Sequence, residues 1–308
     1  MEAFLPPELE RKIFEIAASA GNTTIPPLLR VAKTLEPLLY RRVLIRSRPS
    51  SNELFLSNGD MMISTAVLAA AMERLPAGFL NTHARHLYLE AGAYHNSVQD
   101  RSRMFAALTG VTDLMLLSLR NFDGAPLLLA EISRLPLRRL QARLADLFQS
   151  APPAVGVVDF SHLLFRNITH LSALDEFQRD WATGLSLLPC LTHLSFLDYG
   201  FDPDPLFVEL FKTCALLRVL VVLLDPYYGD YTAEFRPMWQ QEPRVVFLGA
   251  RDVRDWHRGI RGLGDYWEQA ETAIEERKLS VDGSFRPCWK DLDLAKIIEL
   301  AFATDCAE

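Results

Sequence analysis

Positive charge is in short supply in this 308-residue chain: 32 basic against 39 acidic side chains leave a formal net charge of −7. Nucleic-acid binding draws on clustered cations that neutralise phosphates, so that partner class is set aside. Cysteine is scarce as well. Cys190, Cys214, Cys288 and Cys306 show no CxxC spacing and no neighbouring histidines. That argues against a zinc site or a dense disulfide framework and fits idle thiols in a reducing compartment, cytoplasm or nucleus. Long apolar runs are missing too. Residues 61–72 and 214–224 are the most apolar stretches, each too short to span a bilayer, and Arg218 interrupts the second. No charged segment followed by an apolar run opens the sequence, so neither a secretory signal nor a membrane partner is expected. GxSxG, HExxH and GxxxxGK are also absent. We therefore expect no enzyme activity, no cofactor and no metal. The glycines of GIRGLG, Gly259, Gly262 and Gly264, run in the order GxxGxG, wrong for a dinucleotide turn, and read as a loop.

What is present is enough apolar material to fold: 49% hydrophobic and 23% charged residues are ordinary globular values. The stretch FLPPELERKIFEIAAS starts with Pro6 and Pro7, whose fixed φ suits the first turn of a helix. Leu9, Ile13, Ile16, Ala17 and Ala20 then fall on one stripe, while Glu8, Arg11, Lys12 and Glu15 occupy the other face. Residues 4–45 read as three short helices and 46–60 as a polar connector.

The middle of the chain is periodic. An apolar-x-x-apolar-x-apolar phrase recurs as ARHLYL, VTDLML, LRRLQA, ITHLSA, LTHLSF, LRVLVV and PRVVFL. Its anchors, Leu87, Leu114, Leu140, Leu171, Leu194, Leu220 and Val246, are separated by 27, 26, 31, 23, 26 and 26 residues. Such a period reads as a leucine-rich repeat, in which short parallel strands stack and helical segments return along the outside. The units are degenerate, with weak Ala142 and Ala173 at the third apolar position. After the last strand, residues 265–278 form a helix with Trp267, Ala270 and Ile274 on one side, and a second amphipathic helix carries Leu294, Ile298 and Phe302. Solenoid ends need covering, so both are expected to be caps.

The expected fold is thus α/β: a leucine-rich-repeat-like solenoid with parallel strands, a small N-terminal helical segment and a C-terminal helical cap. Its divisions are 1–46 for the N-terminal segment, 47–82 for a connector and capping helix, 83–262 for the repeats and 263–308 for the cap. Alternation along each strand puts the neighbours of the anchors on one concave surface. The expected partner-binding residues there are His86, Tyr88, Asp113, Met115, Arg139, Gln141, His170, His193 and Phe247. His170 and His193 should be neighbours on adjacent strands.

LPPELERKIFEIAA followed by IPPLLRVAKTLEPLLYRRVLI resembles the F-box-like segment of fungal F-box proteins with degenerate leucine-rich repeats. The later DVRDWHRGIRGLGDYWEQAE is similar to the Asp-Trp, Gly-rich, aromatic-Trp ending of the same group. The resemblance implies a non-catalytic substrate receptor of a Skp/cullin/F-box ubiquitin ligase. Its N-terminal helices would dock on a Skp-type adaptor and its repeats would hold a protein substrate. Mapped onto this chain, the adaptor-binding positions are Leu5, Pro6, Leu9, Ile13, Leu28, Val31 and Lys33. Only Thr34 and Leu35 separate LLRVAK from EPLLYR, where the family has a longer connection, so a repeat scaffold with a decayed F-box-like cap stays open as the alternative.

Overall fold

The structure is a computed structural model that describes residues 37, 40–46, 62–90, 98–117, 125–149, 157–176, 178, 180–198, 204–224, 242–249 and 253–279. The seven adaptor-binding positions, from Leu5 to Lys33, and the second C-terminal helix lie outside the described residues. The chain divides into two units, residues 1–111 and 112–308.

In the first unit, β1 (Arg42–Arg46), β2 (Met62–Ser64) and β3 (His86–Leu89) form a parallel ladder in the order β2-β1-β3. Residues 42–46, expected to end a helical segment, are therefore a strand. Val43, Leu44 and Ile45 are all buried, so the strand is apolar on both faces, and a short run of that kind carries no period to separate it from a helix. Helix α1 (Thr65–Arg74) follows β2, with Ser64 Oγ accepting from Val67 N at 3.3 Å as its N-cap and Leu68 and Ala71 turned inward. After α2 (Phe79–His83), the Arg85 guanidinium donates to the Asn81, Ala84 and Gly110 carbonyls at 2.9–3.2 Å. A Cβ on Gly110 would lie 2.0 Å from the Asn81 carbonyl oxygen, so glycine is what lets these two segments meet. Helix α3 (Val98–Ala107) completes the unit's described elements.

The second unit is a six-stranded parallel ladder: β4 (Asp113–Leu116), β5 (Arg139–Ala142), β6 (His170–Glu176), β7 (His193–Asp198), β8 (Val219–Leu224) and β9 (Val245–Gly249), in chain order. Helices α4 (Ala125–Ile132), α5 (Leu144–Leu147), α6 (Trp181–Leu185) and α7 (Asp204–Thr213) lie in the connections between strands. The anchors pair as predicted, Leu114 with Leu140, Leu140 with Leu171, Leu171 with Leu194 and Leu194 with Leu220, and each is almost wholly buried.

One hydrogen-bond device repeats at the strand entries. The carbonyls of Thr112, Arg138, Thr169 and Thr192 each accept two consecutive N–H groups from the next strand, at 2.7–3.1 Å. Arg41 does the same for Arg85 and His86 in the first unit. A recurring sequence phrase thus produces a recurring backbone geometry, as a solenoid-like α/β fold requires.

At the last strand the offset changes. Leu220 pairs with Val245, not Val246, and Val222 pairs with Phe247. A one-residue slip exchanges the faces of a strand, so Phe247 joins Val222 and Phe196 on the anchor side and Val246 and Leu248 turn to the opposite side. The expected place of Phe247 on the partner face is corrected accordingly. Val245, Val246, Phe247 and Leu248 are all apolar, and alternation had nothing to select.

Helices α8 (Val253–Ile260) and α9 (Tyr266–Leu279) follow β9. Their junction is the GIRGLG turn: Gly264 has φ +81°, and a Cβ on Gly259 would sit 2.6 Å from an Asp265 carboxylate oxygen. Asp265 Oδ1 caps α9 by accepting from Glu268 N at 3.1 Å. The predicted apolar side of α9 is real, since Trp267, Ala270 and Ile274 are buried. Its position corrects the expectation of an end cap. It packs on the face of the ladder, against Val219, Val221, Leu223, Val246 and Leu248. Only its last turn serves the edge, where Arg277 Nη1 donates to the Pro243 and Val245 carbonyls at 3.0 and 2.7 Å. Among the described residues no helix is long and apolar enough to cross a membrane.

Candidate functional site

The face that carries α9 is the one on which the sequence places a partner. It has two chemistries. On β8 and β9 it is entirely aliphatic, and α9 seals it. On β4 to β6 it is mainly polar, with Asp113, Arg139, Gln141, His170 and Ser172 beside the buried Met115, and α8 and α9 close only part of it.

His170 and His193 mark the boundary. Paired across β6 and β7, their rings stack at 4.0 Å with 6° between planes, and Trp267 stands edge-on to both at 5.5 and 5.6 Å. His193 Nε2 donates to Glu271 Oε1 at 3.0 Å, and Nδ1 lies 2.8 Å from Thr192 Oγ1, a hydroxyl that also faces the Thr169 carbonyl at 3.1 Å. Burial is the main cause holding both imidazoles below their ordinary pKa, His170 down to about 3, where the His193 and Arg139 charges add to it. Both rings are therefore neutral near pH 7.

Beyond the pair, Arg139 bridges two elements far apart in sequence. Its Nη1 donates to Asp265 Oδ2 at 3.0 Å, and its Nε lies 3.6 Å from Asp113 Oδ1. Asp265 thus caps α9 with one oxygen and ties it to β5 with the other. Below it, the Tyr266 hydroxyl meets Ser195 Oγ at 3.0 Å, and Tyr266 N donates to Asp255 Oδ2 at 3.0 Å. Burial pushes the phenol pKa well up, so it stays protonated. Ser172 Oγ lies beside the same phenol but makes no well-formed hydrogen bond.

Between β4–β6 and the α8–α9 turn these side chains enclose a narrow cleft, walled by Trp256, Ile260, Tyr266 and Trp267. The cleft is open to solvent and leaves a volume of only about 20 Å³ to water-sized groups. Among the described residues no group of His, Cys, Asp and Glu is placed to hold a metal ion.

Of the expected partner-binding residues, Asp113, Arg139, Gln141 and His170 come together in the cleft. His193 is next to them but covered by Trp267 and Glu271. Tyr88 and Met115 are 2% and 1% exposed, so they are core residues of their own units and not an open docking surface. His86 is half-buried on β3 in the first unit. Trp256, Asp265, Tyr266 and Trp267 were not foreseen as neighbours of these residues. The signal available for them was the apolar stripe of α9, which says that a face must be covered without saying which.

Comparison of the chain with protein-family models, with curated proteins and with solved structures returns no match.

Proposed function

We propose that the chain is a non-catalytic protein-interaction subunit that serves as a substrate receptor of a Skp/cullin/F-box ubiquitin ligase, with its repeats of the leucine-rich type. The adaptor half of this reading rests on the F-box-like residues Leu5, Pro6, Leu9, Ile13, Leu28, Val31 and Lys33. The substrate half is supported by one observation: α9 covers the aliphatic end of the ladder face and leaves Arg139 and His170 of the polar end on β4–β6 partly exposed, the Arg139 side chain by 40%. Such a ligase works in the cytoplasm or nucleus, where free thiols like Cys190 and Cys214 persist.

Titration of the purified chain with a Skp-type adaptor tests the reading. Binding is expected, and Leu9→Asp should weaken it by placing an unpaired charge in an apolar contact, with circular dichroism confirming that the variant folds. No binding at roughly tens of micromolar would favour the alternative, a repeat scaffold whose F-box-like segment has become a cap.

A further inference from the structure

We propose that the strand-entry rim of the second unit is a docking surface for a protein segment that combines acidic and apolar side chains. This rests on the reading above only in taking the partner to be a protein, and it adds a surface to the β4–β6 cleft.

One repeated turn builds the rim. Ahead of β6, β7 and β8, Ile168 N donates to the Phe165 carbonyl, Leu191 N to that of Leu188 and Leu217 N to that of Cys214, at 3.0–3.5 Å. The first and last residues of each turn are buried, which leaves the residues between them, Arg166 and Leu216 among them, on its outer side. Leu163, Leu187 and Leu216, in or just before these three adjacent turns, are 71%, 58% and 55% exposed. Single exposed leucines are ordinary, but these three follow the repeat.

The rim is also positive. The turns into β5 to β9, residues 133–138, 161–169, 183–192, 212–218 and 242–244, carry six basic side chains and one acidic one, in a chain of net charge −7. The single acid, Glu242, pairs with Arg244 at 2.8 Å. Asp159, just upstream, spends its carboxylate on Ser161 N and Oγ. Arg134, Arg138, Arg166, Lys212 and Arg218 are exposed, and among the described residues their side chains form no ion pair or hydrogen bond. Arg138 and Arg218 belong to one row with Thr169 and Thr192, in which each carbonyl accepts from the next residue's N–H at 2.8–3.0 Å. Three strand spacings put the two arginines roughly 14 Å apart, about the length of ten helical residues.

Unpaired cations of one sign gain from an acidic partner. Phosphates would use the arginines and leave the leucines against water, whereas a segment carrying carboxylates and apolar side chains uses both.

The test titrates the full chain with a fluorescein-labelled peptide of about 12 residues, Glu and Leu at helical spacing, followed by fluorescence anisotropy. A Kd below about 100 μM at about 50 mM salt is expected, weakening at least about threefold at about 300 mM. Peptides with Gln for Glu, or with Ser for Leu, should each bind at least about fivefold more weakly. Arg138→Glu combined with Arg218→Glu should weaken binding about tenfold or more and leave the melting temperature nearly unchanged, since both side chains are exposed. The same charge change in the first unit, Arg74→Glu with Arg103→Glu, should leave the affinity within about twofold. Leu187→Ser, with an expected loss of about threefold, gives a second reading should the double variant not fold. No binding by about 1 mM, equal binding of the Gln peptide, or equal weakening by the two charge-reversed variants would overturn the proposal. So would tighter binding of a single-stranded oligonucleotide of the same length, which assigns the rim to phosphates. Self-association of the chain that the Arg138→Glu, Arg218→Glu variant abolishes would overturn it too, by assigning the rim to a second copy. Because no adaptor takes part, failure here is separate from failure of the ligase reading.

Discussion

Replacing Trp267 by alanine should be among the most costly single changes in the second unit. The indole is 6% exposed and stands edge-on to both stacked imidazoles while sharing an apolar cluster with Val219, Val221 and Val246. A buried tryptophan removes about 150–250 Å² from water, which at ~25 cal/mol per Å² is about 4–6 kcal/mol as an upper bound. Measured truncations of buried aromatics fall at about 3–5 kcal/mol, the range expected here. The two edge-to-face contacts belong to that figure and are not added to it. Because Tyr266, Ala270, Ala273 and Ile274 still hold α9, the helix should stay folded but open more often. Urea unfolding followed by far-UV circular dichroism gives the cost, and deuterium exchange locates it. Exchange should rise along 266–279 and in β8 more than in β4. A loss under about 1 kcal/mol with unchanged exchange would show that Trp267 does not fasten α9 to the ladder.

Two further outcomes follow from burial. Asp175 accepts from Leu144 N at the start of α5, and burial pushes its pKa from 3.8 up to about 6. A raised carboxyl pKa means that the unfolded chain gives up this proton first, so stability falls as pH rises from about 4 to about 6. Asp175→Asn keeps an oxygen for Leu144 N and escapes that loss. It should be more stable than the parent by about 1–3 kcal/mol at pH 7.5 and nearly equal near pH 4, and destabilisation at pH 7.5 would contradict this cause. In the first unit, Tyr88→Ala should cost about 3–5 kcal/mol in urea unfolding, against about 1 kcal/mol for the half-buried His86→Ala. Equal costs would mean that Tyr88 is not a core residue.

The repeat was legible from the chain because its cause is local. Each unit needs an apolar residue at the strand centre to bury, so Leu114, Leu140, Leu171, Leu194 and Leu220 announce both the strand and its register, and they pair as their spacing implies. Adjacency of His170 and His193 follows from the same register. Where both faces of a strand are buried, the pattern loses its information. Residues 42–46 look equally like helix and strand, and residues 245–248 offer no polar position to reveal the one-residue change of offset that moves Phe247. The stripe on α9 required burial, but an amphipathic helix states only that it needs an apolar partner. Folding brought that helix to the aliphatic end of β8 and β9. The cleft is decided at this level as well, since Arg139 and Asp265, 126 residues apart, meet only after the ladder and the α8–α9 turn are built. No spacing rule links residues so distant, because a contact between separately built elements depends on how their surfaces pack and not on the chain between them.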